Sequence, residues 1–208
     1  MDRKATTTGL DALTFRAGEH SDLAEIGRIH KLAYSREHFT SLLPLKVLVG
    51  YYGFFCDGGT QILLAERRGA IVGFAVYGEQ IPQKIAQFER KWRRALIASA
   101  LSNPLIALQK ILIRAFRRSA VKTARTVPDF LLLSIAVIEK GAGIGTQLLD
   151  RMIADARQAR QCEVGLYVNA DNTHAINTYF SNGFKIISIN SGQYTMVYDI
   201  NLPSCNRR

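Results

Sequence analysis

The stretch VIEKGAGIGTQLLDRM, residues 137–152, decides the fold. It begins in an apolar segment of strand character, passes through clustered glycines and continues with the apolar spacing of an amphipathic helix. Gly141, Gly143 and Gly145 stand at alternate positions where that helix begins. A glycine-rich turn at a helix start presents main-chain N–H groups and the positive end of the helix dipole. The stretch therefore predicts a phosphate-binding loop.

Two common phosphate-binding motifs do not fit this loop. A P-loop needs a lysine after its last glycine, but Gly145 is followed directly by Thr146. A dinucleotide-binding fingerprint needs a third glycine where Thr146 stands, and an acidic residue at the end of the next strand. That strand ends in Val168 and Asn169. The sequence therefore argues against both nucleotide-binding classes.

A third interpretation uses a second motif further along the chain. The segment KGAGIG (140–145) resembles the R/Q-x-x-G-x-G/A motif of the GNAT superfamily of acyl-CoA N-acyltransferases. The segment NTHAINTYFSNGF (172–184) resembles the second signature of that superfamily, N-x-x-A-x-x-x-Y-x-x-x-G-F. The matching residues are Asn172, Ala175, Tyr179, Gly183 and Phe184. The chain departs from the first motif at Lys140, which stands in place of Arg or Gln.

The order of predicted elements also resembles the GNAT fold. A strand (12–16), two helices (21–34, 38–56) and a hairpin (61–66, 71–79) come first; a strand (130–138), the loop and its helix, a strand (163–169), a short helix (172–183) and a closing hairpin follow. We therefore predict an α/β (α+β) fold with a mixed central sheet flanked by helices. It forms a single GNAT domain over 12–200, with flexible tails at 1–11 and 201–208.

The resemblance implies acetyl-CoA as cosubstrate and no metal. It places the pyrophosphate of coenzyme A on the glycine loop and the pantetheine arm along the preceding strand, with Asn172 on its other side. The implied binding residues are Ile135, Ala136, Val137, Lys140, Gly141, Ala142, Gly143, Ile144, Gly145, Thr146, Asn172 and Tyr179. Tyr179 is also the implied catalytic residue. A phenol with an ordinary pKa near 10 is protonated at neutral pH and can protonate the departing thiolate.

The group that removes the proton of the attacking amine is not identified by the sequence. Many relatives carry a carboxylate or histidine on the strand before the glycine loop, where this chain has Ser134 among apolar residues. Glu79, at the end of the predicted hairpin, is the first candidate base. His38, Asp129 and a chain of water molecules are the alternatives.

The net charge of +10 is concentrated in one inserted segment, residues 81–128. This segment holds eleven basic side chains and Glu89 as its only acid, so it accounts for the whole excess of positive charge. Its apolar residues follow two helical stripes, 81–96 and 105–116. We therefore predict an amphipathic helical hairpin, inserted before the strand 130–138.

Several roles for this basic insert remain open. It could form a lid over the acceptor site, or attract an acidic acceptor such as a phosphorylated or nucleotide-linked amino sugar. Paired amphipathic helices with flanking arginines also suit an anionic membrane surface. Nucleic acid is the weakest candidate, because no recognition motif is present. A purely structural hairpin with a solvated cationic face is the remaining interpretation.

The predicted function is N-acetylation. The acetyl group moves directly from acetyl-CoA to a primary amine of an unidentified acceptor, for which anionic and sugar-linked amines are the candidates. The alternative is a non-catalytic GNAT-fold module whose basic hairpin binds a membrane surface or an anionic partner.

Composition predicts a cytoplasmic protein, with peripheral contact at the inner face of the membrane if the insert binds lipid. No apolar run reaches the roughly 18 to 20 residues that span a bilayer, and the first ten residues lack the apolar core of a secretory signal. Cys56, Cys162 and Cys205 show no CxxC spacing and are expected to be unpaired thiols in a reducing compartment.

Overall fold

One seven-stranded sheet with helices on both faces forms the core of the protein. The computed structural model describes residues 12–34, 39–102, 127–190 and 192–200. The strands are β1 (Thr14–Ala17), β2 (Thr60–Arg67), β3 (Ala70–Gly78), β4 (Leu131–Val137), β5 (Glu163–Asn169), β6 (Lys185–Asn190) and β7 (Gln193–Asp199). The helices in these residues are α1 (Leu23–Ala33), α2 (Leu45–Gly53), α3 (Ile81–Lys91), α4 (Arg93–Ser102), α5 (Ile144–Gln158) and α6 (Thr173–Ser181). This mixed α/β architecture confirms the predicted fold class.

The strands lie in the order β1-β2-β3-β4-β5-β7-β6. All neighbours are antiparallel except β4 and β5, which are parallel and connected by the glycine loop and α5. The β4–β5 ladder contains only two residue pairs, Leu131–Gly165 and Leu132–Leu166. Beyond these pairs β4 continues without β5 as a partner. We call the space between the two strands at this end of the sheet the opening.

Strand β4 is covered on both faces, as its near-continuous apolar sequence predicts. Leu131 and Ala136 pack in the cluster that contains α1 and α2, whereas Leu132 packs in the cluster that contains α5. The predicted stripe of α5 is buried: Leu148, Leu149, Met152, Ile153 and Ala156. Full burial of a larger apolar side chain contributes about 1.5–3 kcal/mol. This packing holds the start of α5 beside the opening.

The insert begins with α3 and α4, which meet at Trp92. The prediction of one uninterrupted helix over 81–96 is therefore wrong. The backbone of Trp92 is not helical, with φ −101° and ψ 16°. Its ring packs directly against Gly50 of α2. A Cβ added to Gly50 would lie only 2.4 Å from Trp92 Cζ2. The second predicted helix, 105–116, lies outside the described residues.

None of the helices within the described ranges is long and apolar enough to cross a membrane.

The cysteines differ at one position from the expectation of unpaired thiols. Cys162 is disulfide-bonded, so the expectation of an unpaired thiol is wrong there. Cys56 is a free thiol whose pKa is raised by burial, and Cys205 lies outside the described residues.

Candidate active site

The glycine loop leaves the end of β4 and leads directly into α5. Gly141 has φ +80° and Gly143 has φ +70°, backbone conformations that glycine adopts without strain. Gly145 has no positive φ, so backbone conformation does not explain it. A Cβ added to any of the three would meet nothing within 4 Å. Crowding inside the protein therefore does not explain these glycines, and the space beside the main chain is open at all three.

Free main-chain donors occur at the start of α5. The first bond inside the helix runs from Gln147 N–H to the carbonyl oxygen of Gly143, which is the N-cap residue. The N–H groups of Ile144, Gly145 and Thr146 precede that bond and have no partner within the helix. Among the described residues no side chain caps this helix. The helix start therefore presents N–H groups and a partial positive charge to an anion.

The edge of β4 that faces the opening also has main-chain groups without a partner strand. Leu133 has no partner on β3, so it forms a bulge in β4. Ile138 N–H donates to the carbonyl oxygen of Val72, which fixes the alternation of the β3–β4 ladder. By that alternation the N–H and C=O groups of Ile135 and Val137 point away from β3, into the opening.

Asn172 caps α6, the helix that follows β5. Its Oδ1 accepts a hydrogen bond of 3.2 Å from the main-chain N–H of Ala175. The position of Asn172 at the start of the second motif is therefore compatible with a capping role. Its side-chain amide N–H groups remain as donors beside the end of β5. The role in holding the pantetheine arm stays a prediction.

Tyr179 lies on the buried face of α6, with 7% of its surface exposed. It shares an apolar cluster with Ile135 and Val137, and its ring centroid lies 5.7 Å from that of Phe184. Burial, and secondly the nearby phenol of Tyr34, raise the pKa of Tyr179 above the ordinary value near 10. The hydroxyl is therefore protonated at neutral pH, as a proton donor requires.

On the other face of β4, the structure reveals polar contacts that the sequence analysis did not predict. The hydroxyl of Tyr34, directly after α1, lies 2.8 Å from Ser134 Oγ. It also donates to the main-chain oxygen of Ile135 at 3.3 Å. Because that oxygen faces the opening, the phenol of Tyr34 reaches the same space as the free edge of β4.

The contacts continue away from the opening. Tyr52 Oη lies 3.3 Å from Ser134 Oγ and 2.6 Å from His30 Nδ1, and His30 Nε2 lies 2.9 Å from Thr40 Oγ1. The rings of His30 and Tyr34 stack with their centroids 4.3 Å apart. We call these five residues the polar chain: Tyr34, Ser134, Tyr52, His30 and Thr40. The only sequence signal was polar residues one helical turn apart, His30 and Tyr34, on an otherwise apolar helix face.

The candidate bases named from the sequence do not lie beside the opening. Glu79 follows β3, whose end pairs with the start of β4, while the glycine loop leaves the other end of β4, about 20 Å away. Glu79 Oε1 accepts a hydrogen bond of 2.6 Å from Gln161 Nε2. Asp129 precedes β4 and lies at the same far end. His38 lies outside the described residues.

Charged side chains flank the glycine loop. Glu139 forms an ion pair with Arg67 Nη1, which offsets a negative charge that would otherwise repel a phosphate. Lys140, at the first position of the motif, is exposed. No group of three or more His, Cys, Asp or Glu residues that could hold a metal ion occurs in the described part of the chain.

Comparison with protein families gives one match. Residues 23–184 match the model of the acetyltransferase (GNAT) family. The matched range includes both motifs, the opening and the polar chain. A comparison with curated protein sequences finds no match.

Solved structures share the fold at low sequence identity. The ribosomal-protein-S18-alanine N-acetyltransferase from Escherichia coli is 16% identical with a TM-score of 0.59, over 95% of this chain and 99% of that one. YncA from Salmonella typhimurium, with its cofactor acetyl-CoA, is 16% identical with a TM-score of 0.57, over 95% and 100%. PaiA N-acetyltransferase from Thermoplasma acidophilum, in complex with coenzyme A, is 14% identical with a TM-score of 0.55, over 91% and 99%.

Proposed function

The chain belongs to the acetyltransferase (GNAT) family, and from that premise we propose that it transfers an acetyl group from acetyl-CoA directly to a primary amine of an anionic acceptor. The protein is an acyl-CoA-dependent acyltransferase. The identity of the amine and the roles of individual residues are the new parts of the proposal.

One observation carries the proposal: two sets of main-chain groups that have no partner within a helix or from a neighbouring strand lie at one end of the sheet. The first set is the N–H groups at the start of α5, which suit a pyrophosphate. The second is the edge of β4 at Ile135 and Val137, which suits an extended arm that bears amide groups. Coenzyme A carries a pyrophosphate and then a pantetheine arm with two amides. It therefore matches both sets in the order in which they occur.

Tyr179 is the proposed acid of the reaction. The neutral amine attacks the thioester carbonyl, the C–N bond forms, and the C–S bond breaks as the tetrahedral intermediate collapses. Tyr179 donates its hydroxyl proton to the departing sulfur, and the phenolate takes up the proton that the nitrogen loses. The amine loses one proton and the sulfur gains one, so the transfer leaves no net charge on the protein.

The charge of the insert supports an anionic acceptor. The described part of the insert exposes four of its basic side chains: Arg90, Lys91, Arg93 and Arg94. Such a concentration of positive charge raises the local concentration of anions and speeds their association at low salt. Phosphorylated amino sugars combine a primary amine with the required negative charge.

The same segment favours a second candidate for its role, contact with an anionic membrane. Ile97 and Leu101 on α4 are 50% and 76% exposed, on the helix that also carries Arg93 and Arg94. Exposed apolar side chains beside arginines are typical of interfacial helices. Sedimentation with phosphatidylserine vesicles would detect this contact, and it should weaken when both arginines are changed to glutamate.

The test of the proposed function begins with binding. Calorimetric titration with acetyl-CoA should show saturable binding of one molecule per chain, and NADH as control ligand should show none. Free-thiol release is then measured with a panel of three amines: glucosamine 6-phosphate, glucosamine and propylamine. We expect the phosphorylated amine to react fastest. Equal rates for all three would contradict the anionic acceptor, and absence of acetyl-CoA binding would contradict the transfer itself.

A further inference from the structure

We infer that Arg67, the last residue of β2, and Arg68, in the turn that follows, bind the 3′-phosphate of coenzyme A. The two arginines would then select coenzyme A over the same molecule without that phosphate. The inference rests on the proposed function, because it concerns the cofactor of the same transfer. Neither arginine belongs to the two sequence motifs.

A surface cavity of about 700 Å³ lies at the turn between β2 and β3. It is lined by Arg67, Arg68, Ala70, Val72 and Glu139. Its volume is typical of sites that hold small organic ligands. The lining combines two guanidinium groups with the apolar side chains of Ala70 and Val72, so it suits a ligand that carries an anionic group.

The cavity adjoins the glycine loop. Glu139, which lines the cavity, directly precedes Lys140, where the first motif begins. The neighbouring Ile138 N–H donates to the carbonyl oxygen of Val72 at 2.9 Å, which holds this part of the chain against β3. The turn between β2 and β3 therefore lies at the same end of the sheet as the glycine loop and next to its first residues.

The chemistry of coenzyme A predicts a second anion site close to the first. Its pyrophosphate and its 3′-phosphate are attached to the same ribose. When the pyrophosphate is bound at the start of α5, the 3′-phosphate is held nearby, at the end of the cofactor that is farthest from the acetyl group. The acceptor meets the acetyl group at the other end of the pantetheine arm. A cationic cavity beside the glycine loop therefore fits the 3′-phosphate better than a phosphate of the acceptor.

The guanidinium of Arg67 has unused capacity for hydrogen bonds. Its Nη1 forms an ion pair with Glu139, but its Nε is buried and has no acceptor in the described part of the chain. The fork of an arginine can donate two parallel hydrogen bonds to one phosphate. A phosphate in the cavity would therefore supply the acceptor that Glu139 does not.

Arg68 stands in a backbone conformation that is unfavourable for a residue with a side chain. It has φ +55° and the following Gly69 has φ +73°, as in a two-residue hairpin turn whose central residues are both left-handed. Asparagine, aspartate and glycine are the usual first residues of such a turn, because a larger side chain crowds the backbone there. Turn geometry therefore does not account for the arginine. Residues in such conformations are frequent at ligand-binding sites.

The experiment compares coenzyme A with 3′-dephospho-coenzyme A, which lacks only the phosphate in question. The variants are Arg67→Gln and Arg68→Gly. Arg28→Gln is the control for Arg67, because Arg28 also forms an ion pair with a glutamate, Glu25, on the other face of the sheet. Arg160→Gly is the control for Arg68, because Arg160 is also an exposed arginine of positive φ, +56°, and lies just after the end of α5 that is remote from the loop.

Calorimetric titration measures the Kd of each compound. We expect the wild type to bind coenzyme A at least about 10-fold more tightly than the dephospho form, in the range of a hydrogen bond between charged groups. Arg67→Gln and Arg68→Gly should each reduce this preference by at least about 3-fold and leave the Kd of the dephospho form unchanged within about 2-fold. Both controls should keep the wild-type preference. The Tm of Arg68→Gly should hold or rise, because glycine adopts a positive φ without strain.

Four outcomes would overturn the inference. The first three are equal affinity of the wild type for the two compounds, equal losses for both compounds in the variants, and an equal loss of preference in the controls. The fourth is a higher KM for glucosamine 6-phosphate with an unchanged preference between the two compounds, since the arginines would then bind the acceptor. If Arg67→Gln unfolds, Arg68→Gly decides the question by the same ratio of Kd values.

Failure of the proposed function looks different. If the wild type binds coenzyme A but releases no thiol from acetyl-CoA with any amine, the transfer is contradicted and the ratio of Kd values still decides on the arginines. If the wild type binds neither compound, the inference falls together with the transfer.

Discussion

The two sides of the opening use different parts of the polypeptide. On one side, which we call the cofactor side, β4, the glycine loop, α5 and α6 present main-chain groups of Ile135, Val137 and the start of α5. On the other, the acceptor side, α1 and α2 present hydroxyls and an imidazole. A main-chain site is specified locally, because glycines and caps must stand at set positions. A side-chain site is specified by the fold, which brings together residues that are distant in sequence.

The strongest test of the cofactor side is Tyr179→Phe, which keeps the ring and removes the proton donor. We expect kcat to fall by about 100-fold or more, since general acid catalysis contributes roughly 10²–10⁴-fold, while acetyl-CoA Kd stays nearly unchanged. Free-thiol release and calorimetry measure the two effects. Tyr198→Phe is the control, because its ring packs on Phe184 as that of Tyr179 does. An unaffected rate in Tyr179→Phe would refute its role as acid.

Gly145→Ala tests whether this glycine is required for acetyl-CoA binding or for the stability of the fold. The added Cβ meets nothing within 4 Å and the position is helical, so unfolding free energy should hold or rise by up to about 1 kcal/mol. Acetyl-CoA affinity should fall about 10-fold, equivalent to roughly 1.4 kcal/mol. Gly53→Ala, at the end of α2, is the control and should leave affinity unchanged. Lower stability with unchanged affinity would show that the glycine serves packing.

Charge reversal on the insert should give a smaller, selective effect. In the double variant Arg93→Glu and Arg94→Glu, kcat/KM for glucosamine 6-phosphate should fall about 5-fold at low salt and less at high salt. The rate with propylamine should not fall. The same reversal at Arg157, in the last turn of α5, and at Arg160, just after that helix, controls for net charge. An equal loss for both amines would contradict steering of the acceptor by the insert.

The smallest expected effect concerns the ion pair between Arg16 and Asp22, the residue that directly precedes α1. The Arg16 guanidinium holds the pKa of Asp22 below its ordinary value, and partial burial opposes it. Because the folded pKa is lowered, this stabilisation is present above the unfolded pKa and is lost as the pH falls through the folded pKa. Asp22→Asn should lower the unfolding free energy at pH 7 by at most about 1 kcal/mol. Chemical denaturation at pH 7 and near pH 2 checks this, since the difference should vanish in acid.

The sequence predicted the helices and strands of the cofactor side well because their signals are local. Strand β5 has the predicted bounds, the apolar stripe of α5 is buried, and α6 begins at the cap residue of the second motif. Each of these depends on spacing within one element or on a residue next to it. The comparison with protein families then confirmed the family that the two motifs indicate.

The polar chain was not predicted, because its contacts join residues that are far apart in the sequence. His30 and Tyr52 are 22 residues apart, and Tyr52 and Ser134 are 82 apart. No spacing rule connects such residues. Its position at a strand end makes Glu79 a candidate base, but the register of β3 on β4 places it at the end of β4 that is remote from the glycine loop. The break between α3 and α4 likewise involves a distant residue. The ring of Trp92 occupies the space that a side chain at Gly50, on another helix, would fill.

The short ladder between β4 and β5 divides the sheet into two half-sheets, β1–β4 and β5–β7, joined by two residue pairs and by α5. The amides of Ile135 and Val137 lie in the middle strand of seven, yet in hydrogen exchange they should behave as edge amides. A molecule bound in the opening would pair with β4 as an eighth strand does, and it would connect the two half-sheets. Bound substrate would then stabilise the fold, and its release would lower the stability of the protein.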